Sequence, residues 1–165
     1  MPNPPPTLKD LFETFQRSAF RVEALPEYRV PEEESALLVF KQTGQLPDGF
    51  NAEWVALVRS AHEAGKSMQR LRLLSSPLTA YEKFELRAYE GAIRAGHEIR
   101  FTPRDSHMPT QDFWLFDDEW IAWMSYDPDG AWVSATVRKV EPGDKDMLGH
   151  WLSIFRTAAP NPTGF

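Results

Sequence analysis

The histidines are the residues whose chemistry would be easiest to recognise in this sequence. The chain has four of them, His62, His97, His107 and His150. Zinc sites often place two histidines at a short fixed spacing, as in His-x-x-x-His or His-Glu-x-x-His. Neither pattern occurs here, and the chain has no cysteine. We therefore expect no metal site and no cofactor.

Serines, glycines and acidic residues do not match the common catalytic patterns either. The sequence contains no Gly-x-Ser-x-Gly and no Gly-x-Gly-x-x-Gly. The tripeptide 65–67, Gly-Lys-Ser, resembles the end of a phosphate loop, but it follows a predicted helix and precedes a predicted strand, the reverse of the order such a loop needs. The acidic run 117–119 is typical of a hairpin turn. The sequence thus predicts a protein that is not an enzyme.

Polar residues near the predicted strand ends form the strongest candidate for a ligand site. In open α/β sheets, ligands bind at the carboxyl ends of the strands. Arg72 and Arg104 could pair a phosphate or carboxylate there. The alternative is that they form ordinary salt bridges with Glu85 or Asp112. The candidate ligand-binding residues are Arg72, Ser75, Thr79, Tyr81, Arg104 and Asp112.

Aromatic side chains are concentrated in the last third of the chain. Side chains alternate between the two faces of a strand, so Trp120 and Trp123 point to opposite faces. One face must pack in the core, and the other either packs as well or forms a partner surface. The candidate partner-surface residues are Trp120, Trp123, Tyr126 and Trp132.

Apolar spacing and capping residues predict the elements that position these side chains. Helices are expected after Thr7, over 32–42, from Asn51 to about Gly65, from Thr79 to about Ala95, and after 142–144. Alternation or short apolar runs predict strands over 68–74, 98–101, 112–116, 120–126 and 132–140. The segment 19–23 could end the first helix or form a short strand, and the alternation of Phe20 and Val22 with Arg21 and Glu23 favours the strand. The helix over 79–95 should be a crossover between parallel strands. From residue 66 onward, this order predicts a central mixed sheet of about five strands with flanking helices.

Length and charge limit the organisation and the partners. A chain of 165 residues fits one domain. We expect a disordered proline-rich tail over 1–7, one α/β domain over 8–158 and a flexible tail over 159–165. Within the domain, 8–65 should be a mainly helical N-terminal part and 66–158 the sheet and helix core.

The net charge is −6, although 56–104 carries nine basic and five acidic side chains. This sign disfavours direct nucleic-acid binding.

No apolar run is long enough to span a bilayer, and the N-terminus does not read as a secretory leader. A soluble cytoplasmic protein with no membrane partner is therefore expected.

Several phrases resemble an actinobacterial family of unknown function. They are Phe20-Arg21-Val22-Glu23, Phe50-Asn51-Ala52-Glu53-Trp54, Pro77-Leu78-Thr79-Ala80-Tyr81 with Phe84-Glu85-Leu86, and the run 112–118. The likeness covers roughly 8–158. Members of that family are often encoded beside helix-turn-helix transcription regulators. The resemblance implies a regulatory or accessory role and names no chemistry.

The C-terminal part also resembles half of the phospholipase-D-like fold, with a strand, a long helix, an acidic and aromatic hairpin and a tryptophan-bearing last helix. Enzymes of that superfamily use a His-x-Lys motif. Here His97 is followed by Glu98 and Ile99, so the resemblance implies a catalytically silent half domain.

Two hypotheses for function follow. The first is a non-catalytic regulatory or accessory protein that binds a partner protein, such as a helix-turn-helix regulator, through the aromatic strands or the N-terminal helices. Self-association as a homodimer is a further expectation of this kind. The second is a small anionic-ligand sensor or cryptic enzyme with a pocket at the strand ends.

Overall fold

The computed structural model describes residues 1–105 and 111–165; His107 lies outside the described residues. Six strands form the centre of the molecule. They are β1 (Ser18–Glu23), β2 (Ser67–Leu74), β3 (Glu98–Pro103), β4 (Phe113–Phe116), β5 (Trp120–Tyr126) and β6 (Trp132–Lys139).

Five α-helices surround the sheet, and capping residues set several of their ends. They are α1 (Leu8–Thr14), α2 (Glu34–Thr43), α3 (Ala52–Glu63), α4 (Ala80–Ala95) and α5 (Lys145–Thr157). Thr7 and Thr79 each form a capping box with the acidic residue three positions later. Gly44 and Gly96 end α2 and α4 in the left-handed conformation.

All six strands join one mixed sheet in the order β3-β2-β1-β4-β5-β6. β1, β2 and β3 run parallel, and α4 crosses between β2 and β3 as predicted. β4, β5 and β6 are antiparallel neighbours, and β4 pairs antiparallel with β1. The sheet therefore changes from parallel to antiparallel at β1.

The predicted α/β class with a mixed sheet of about five strands is confirmed, and the sheet has six strands. The sheet has six strands because β1, in the mainly helical N-terminal part, pairs with both β2 and β4. This segment is a central strand of the same sheet, so the N-terminal part is not only a helical extension. The sequence of β1 did not indicate that it is a central strand, because the strand is only six residues long and two of them are charged.

Apolar side chains cover both faces of the sheet. On one face, Val22, Leu71 and Ile121 pack against Trp151 and Phe155 of α5. The opposite face lies under α1, α3 and α4. Its apolar part near α1 and α3 includes Ala19, Met68, Trp114, Phe116 and Ala122.

Two edges close the sheet in different ways. The backbone of Phe101 in β3 exchanges two hydrogen bonds of 2.9 Å with Ala159, which we expected in the C-terminal tail. The opposite edge is β6, and its hairpin with β5 contacts the loop around Tyr28. There Arg29 donates from its backbone N–H to the carbonyl of Gly130 over 2.9 Å.

No helix within 1–105 or 111–165 has the length and apolar character needed to cross a membrane.

Candidate functional site

A cluster of buried charges lies on the helix-covered face of β1 and β2. Arg21 and Glu23 of β1 stand opposite Arg70 and Arg72 of β2 in the parallel register. Alternation along each strand places these four side chains on one face, with Val22 and the leucines of β2 on the other. All four are buried, and Arg72 has no exposed surface.

Glu23 lies at the centre of this cluster. Its carboxylate accepts a 2.5 Å hydrogen bond from Nη1 of Arg70 and lies 3.1 Å from Nε of Arg72. The hydroxyl of Tyr89, from α4, donates to the same carboxylate. Burial would raise the pKa of Glu23, but Arg70 and Arg72 together lower it below its usual range. Glu23 is therefore held as a carboxylate.

Glu85 supplies the helix side of the cluster. Its Oε1 accepts from Nε and Nη2 of Arg72 at 3.0 and 2.5 Å, and its Oε2 lies 3.0 Å from the hydroxyl oxygen of Tyr89. Burial raises the pKa of Glu85 well above its usual range, and the nearby charge of Glu23 acts in the same direction, against the lowering effect of Arg72. The pKa values of the two neighbouring carboxyl groups therefore move in opposite directions, down for Glu23 and up for Glu85.

A second group of contacts surrounds Asp112, immediately before β4. Its carboxylate accepts from Nη2 of Arg21 at 2.9 Å, from the backbone N–H of Ala24 at 2.9 Å and from the hydroxyl of Tyr28. Arg21 also donates to the Tyr126 hydroxyl over 3.0 Å. Burial lowers the pKa of Arg21, but the Asp112 carboxylate outweighs this and raises it overall. Asp112 thus ties the end of β1 to the start of β4.

A cavity of about 410 Å³ opens above these charges. This is within the range that small-molecule sites occupy. The charged part of its lining comprises Arg21, Glu23, Glu33, Arg70 and Glu85. The aromatic part of the lining comprises Phe12, Tyr28, Phe50, Trp54, Tyr81, Tyr89, Trp114, Tyr126 and Trp132. We call this space the arginine–aromatic cavity.

The two cavity arginines lie against aromatic rings. The guanidinium carbon of Arg70 is 5.5 Å from the ring centre of Trp114 and 5.3 Å from that of Tyr89. The corresponding distance from Arg21 to Trp114 is 5.9 Å. Cation–π attraction of this kind compensates part of the desolvation of a buried cation. Nη1 of Arg21 and Nε of Arg70 are buried and have no hydrogen-bond acceptor among the described residues.

Three of the residues predicted to bind ligand lie at or beneath this cavity. Tyr81 lines it and donates a 2.8 Å hydrogen bond to Glu33 at its rim. Arg72 lies beneath the floor, paired with Glu85 as the salt-bridge alternative proposed. Asp112 does not line the cavity but binds Arg21 and Tyr28, which do.

The other three predicted ligand residues lie at the strand ends outside the cavity lining. Thr79 caps α4, and Glu82 accepts from the backbone N–H groups of both Thr79 and Ser75. The backbone N–H of Arg104 donates to the carbonyl of Leu74 over 2.7 Å. Burial and the charge of Arg72 lower the pKa of Arg104. Unlike Tyr81, these three residues do not line the cavity.

The predicted partner-surface residues have different surroundings. Trp120 and Trp123 are half-buried and pack on opposite faces of the sheet, as alternation predicted. Tyr126 is half-buried and lines the cavity. Trp132 is 54% exposed and stands at the start of the edge strand. Of the four, Trp132 is the most available to a partner.

Sequence reasoning missed Arg21, Glu23, Arg70, Glu85 and Tyr89 as members of the site. A usable signal was present. Two predicted strands carried charged residues on one face, and Glu85 and Tyr89 lie one turn apart on the apolar stripe of the crossover helix. Charges on the face of a sheet that a helix covers must find partners there.

The acidic turn after β4 has a structural role. The Asp117 carboxylate accepts from the backbone N–H groups of Gln16, Arg17 and Ser18 at 2.6 to 2.9 Å. Burial raises the pKa of Asp117, but these hydrogen bonds lower it overall. Asp117 therefore fastens the start of β1 to the β4–β5 turn.

Within the described part of the chain, no three acidic or histidine residues are grouped so that they could hold a metal ion.

The fold and the cavity together define a mixed α/β domain with a charged network buried beneath an aromatic-walled site. The chain matches a domain of unknown function, DUF6879, over residues 6–163, and it belongs to that family. A comparison with curated proteins finds no match.

The buried pair of Arg72 and Glu85 should dominate the stability of this site. Arg72→Met leaves the buried carboxyl group of Glu85 without its guanidinium and takes one of two close guanidinium groups from Glu23, so we expect the free energy of unfolding to fall by about 3–5 kcal/mol. Arg72→Met combined with Glu85→Met should recover a substantial part of that loss, because the pair is replaced by side chains of similar volume. Denaturant-induced unfolding measures both values.

A half-exposed pair on the same helix provides the control. Arg87 lies 2.7 Å from Glu90 on the solvent side of α4. Arg87→Met should cost less than about 1 kcal/mol. Equal losses for Arg72→Met and Arg87→Met would show that the buried network does not contribute as described.

His97 should make stability depend on pH. Burial and the nearby charge of Arg70 lower the pKa of His97 to about 3, compared with 6.5 for the unperturbed group. Between these values the unfolded chain binds a proton that the folded chain does not, so the folded state loses stability as pH falls. From pH 7 to pH 5 the expected loss is about 2 kcal/mol.

His97→Gln should therefore reduce the pH dependence of the free energy of unfolding over this interval. Exposed His150→Gln controls for the removal of a histidine from the surface. Identical pH profiles for wild type and His97→Gln would contradict the assignment.

Proposed function

We propose that the protein binds a small molecule in the arginine–aromatic cavity. The ligand carries an acidic group, such as a carboxylate or phosphate, on a flat apolar body. The observation that carries the proposal is that Arg21 and Arg70 line an aromatic-walled cavity while each retains a buried N–H group with no acceptor among the described residues. An unpaired buried donor is costly, so a ligand that brings an acidic group against these two guanidinium groups would be favoured.

The charges of the network favour an anion. Arg21, Arg70 and Arg72 are paired with Glu23, Glu85 and Asp112. The N–H groups of Arg21 and Arg70 that lack an acceptor would be satisfied by a carboxylate or phosphate, and arginine is well suited to bind either group.

The position and the walls of the cavity also support binding. The charged floor lies on the face of β1 and β2 that the helices cover, next to the strand β4 that pairs antiparallel with β1. The aromatic rings provide flat apolar surface for a planar ligand. The carboxylates are already paired with guanidinium or hydroxyl groups, so this arrangement favours recognition over proton transfer.

Aromatic acids and their neutral analogues test the proposal. Naphthoate should quench the tryptophan fluorescence of the protein and release heat in calorimetry, because Trp54, Trp114 and Trp132 line the cavity. Arg70→Lys keeps a cation beside Glu23 but removes Nε. It should weaken naphthoate binding by roughly tenfold or more, as expected for the loss of a hydrogen bond to a charged group.

The control ligand is naphthamide, whose weaker binding should not change in Arg70→Lys. Exposed Arg156→Lys on α5 is the matched control protein. If naphthamide binds as tightly as naphthoate, or if Arg70→Lys leaves naphthoate binding unchanged, the site does not recognise the acidic group of the ligand. If none of naphthoate, phenyl phosphate and naphthamide binds, the cavity is not a ligand site.

A second candidate function is that of a non-catalytic accessory protein that binds a helix-turn-helix regulator. The supporting observation is an apolar groove of about 890 Å³ between the N-terminal helices and β6. Its walls include Leu8, Phe12, Trp54, Leu57, Trp132 and Val137. The resemblance to an actinobacterial family encoded beside such regulators, and to a silent phospholipase-D-like half domain, points in the same direction.

For this second candidate we expect a micromolar complex with a helix-turn-helix regulator encoded beside the gene. Leu57→Ser should weaken the complex, because it makes the groove wall polar. Leu38→Ser, at an exposed leucine of α2, should leave the complex unchanged. The absence of a complex in sedimentation or calorimetry, or equal effects of the two variants, would contradict this function.

A further inference from the structure

Glu33 differs from the other carboxylates that line the arginine–aromatic cavity. Glu23 and Glu85 each pair with a buried arginine, at 2.5 Å in both cases. Glu33 lies in the turn before α2 and accepts a 2.8 Å hydrogen bond from Tyr81. Among the described residues, no arginine or lysine forms a salt bridge with Glu33. The cavity lining therefore contains a carboxylate that a cation could still pair with.

The surroundings of Glu33 carry little positive charge for a half-buried carboxylate. Burial raises the pKa of Glu33, and the carboxylates of Glu23 and Glu32 act in the same direction. The Tyr81 hydroxyl and the charge of Arg70 lower the pKa without outweighing burial. A cation brought against Glu33 would stabilise its charged form.

The rim of the cavity beside Glu33 is acidic. A second hollow of about 750 Å³ shares four lining residues with the arginine–aromatic cavity, among them Glu33 and Trp54, so the two spaces adjoin. The charged residues that line this hollow are Glu32, Glu33 and Glu53. Charges of one sign around a cleft attract a group of the opposite sign. The cavity therefore has arginines at its floor and carboxylates at its rim.

A row of tyrosines lies between these two charged regions. At one end, Arg21 donates to the Tyr126 hydroxyl over 3.0 Å, and at the other end Tyr81 donates to Glu33. The ring centres of Tyr126 and Tyr28 are 5.1 Å apart, and those of Tyr28 and Tyr81 are 5.9 Å apart. All three rings line the cavity. A flat ligand that lies along this row would bring one end to the arginines and the other to Glu33.

We propose that the ligand of the arginine–aromatic cavity carries a cationic amino group as well as its acidic group, and that Glu33 binds this amino group. The inference rests on the proposed function, because the acidic group at Arg21 and Arg70 determines which end of the ligand reaches Glu33. The ligand class is then an aromatic acid with an amine on the far side of its ring system. The buried N–H groups of Arg21 and Arg70 that lack an acceptor are the independent indication that this cavity takes a ligand.

Naphthoates with and without an amine test this assignment. The probes are two isomers of aminomethyl-naphthoate, which differ in where the far ring carries the aminomethyl group, and the matching ethyl-naphthoates. In calorimetry, at least one aminomethyl isomer should bind roughly tenfold more tightly than its ethyl counterpart, as expected for a hydrogen bond between charged groups. Glu33→Gln keeps an acceptor for the Tyr81 hydroxyl but removes the charge, so it should abolish this difference. Circular dichroism checks that the variant folds.

Glu34→Gln is the matched control, because Glu34 is the next residue, is exposed and does not line the cavity. The preference for the amine should persist in this variant. If plain naphthoate binds but neither aminomethyl isomer binds more tightly than its ethyl counterpart, or if Glu33→Gln retains the preference, the amino group is not bound by Glu33, and the proposed function stands without this inference. If none of the naphthoates binds, both the proposed function and this inference are wrong.

Discussion

Three guanidinium groups lie between a sheet and its covering helices, and each of them needs acceptors that water would otherwise provide. Arg72 is the extreme case, since it has no exposed surface. It obtains its acceptors from Glu85, Glu23 and the carbonyls of Leu25 and Leu73. These acceptors come from β1, β2, α4 and the loop after β1. The position of α4 on the sheet is therefore constrained by charge pairing as well as by apolar packing.

This pairing also limits the chemistry of the site. Glu23, Glu85 and Asp112 each accept from an arginine, and two of the tyrosine hydroxyls donate to the same carboxyl groups. Burial raises the pKa of Tyr28 and Tyr89 well above the usual range, so these hydroxyls remain donors. Within this network, the groups still able to accept a new partner are the arginine N–H groups and the aromatic rings. Such a set suits the ligand that we propose, an anion with a flat body.

The helices and strands could be predicted from the sequence more completely than the residues of the candidate site. Caps at Thr7 and Thr79 and glycines after α2 and α4 marked helix ends that the structure reproduces. The central position of β1 could not be predicted, because alternating charge on a strand usually indicates a solvent face. The same ambiguity concealed Arg21 and Arg70. Only the pairing of β1 with β2 in register places their charges together under α4.

The β5–β6 hairpin connects the cavity to the edge of the sheet. Tyr126 from this hairpin accepts from Arg21 at the cavity floor, and Trp132 lines the cavity wall. Gly130 at its tip has φ +84°, and a Cβ atom there would lie 2.7 Å from the Glu27 carbonyl. Such close contact means that the hairpin cannot shift without moving the loop that carries Tyr28. The hairpin and the loop that carries Tyr28 therefore form this side of the cavity as one packed unit.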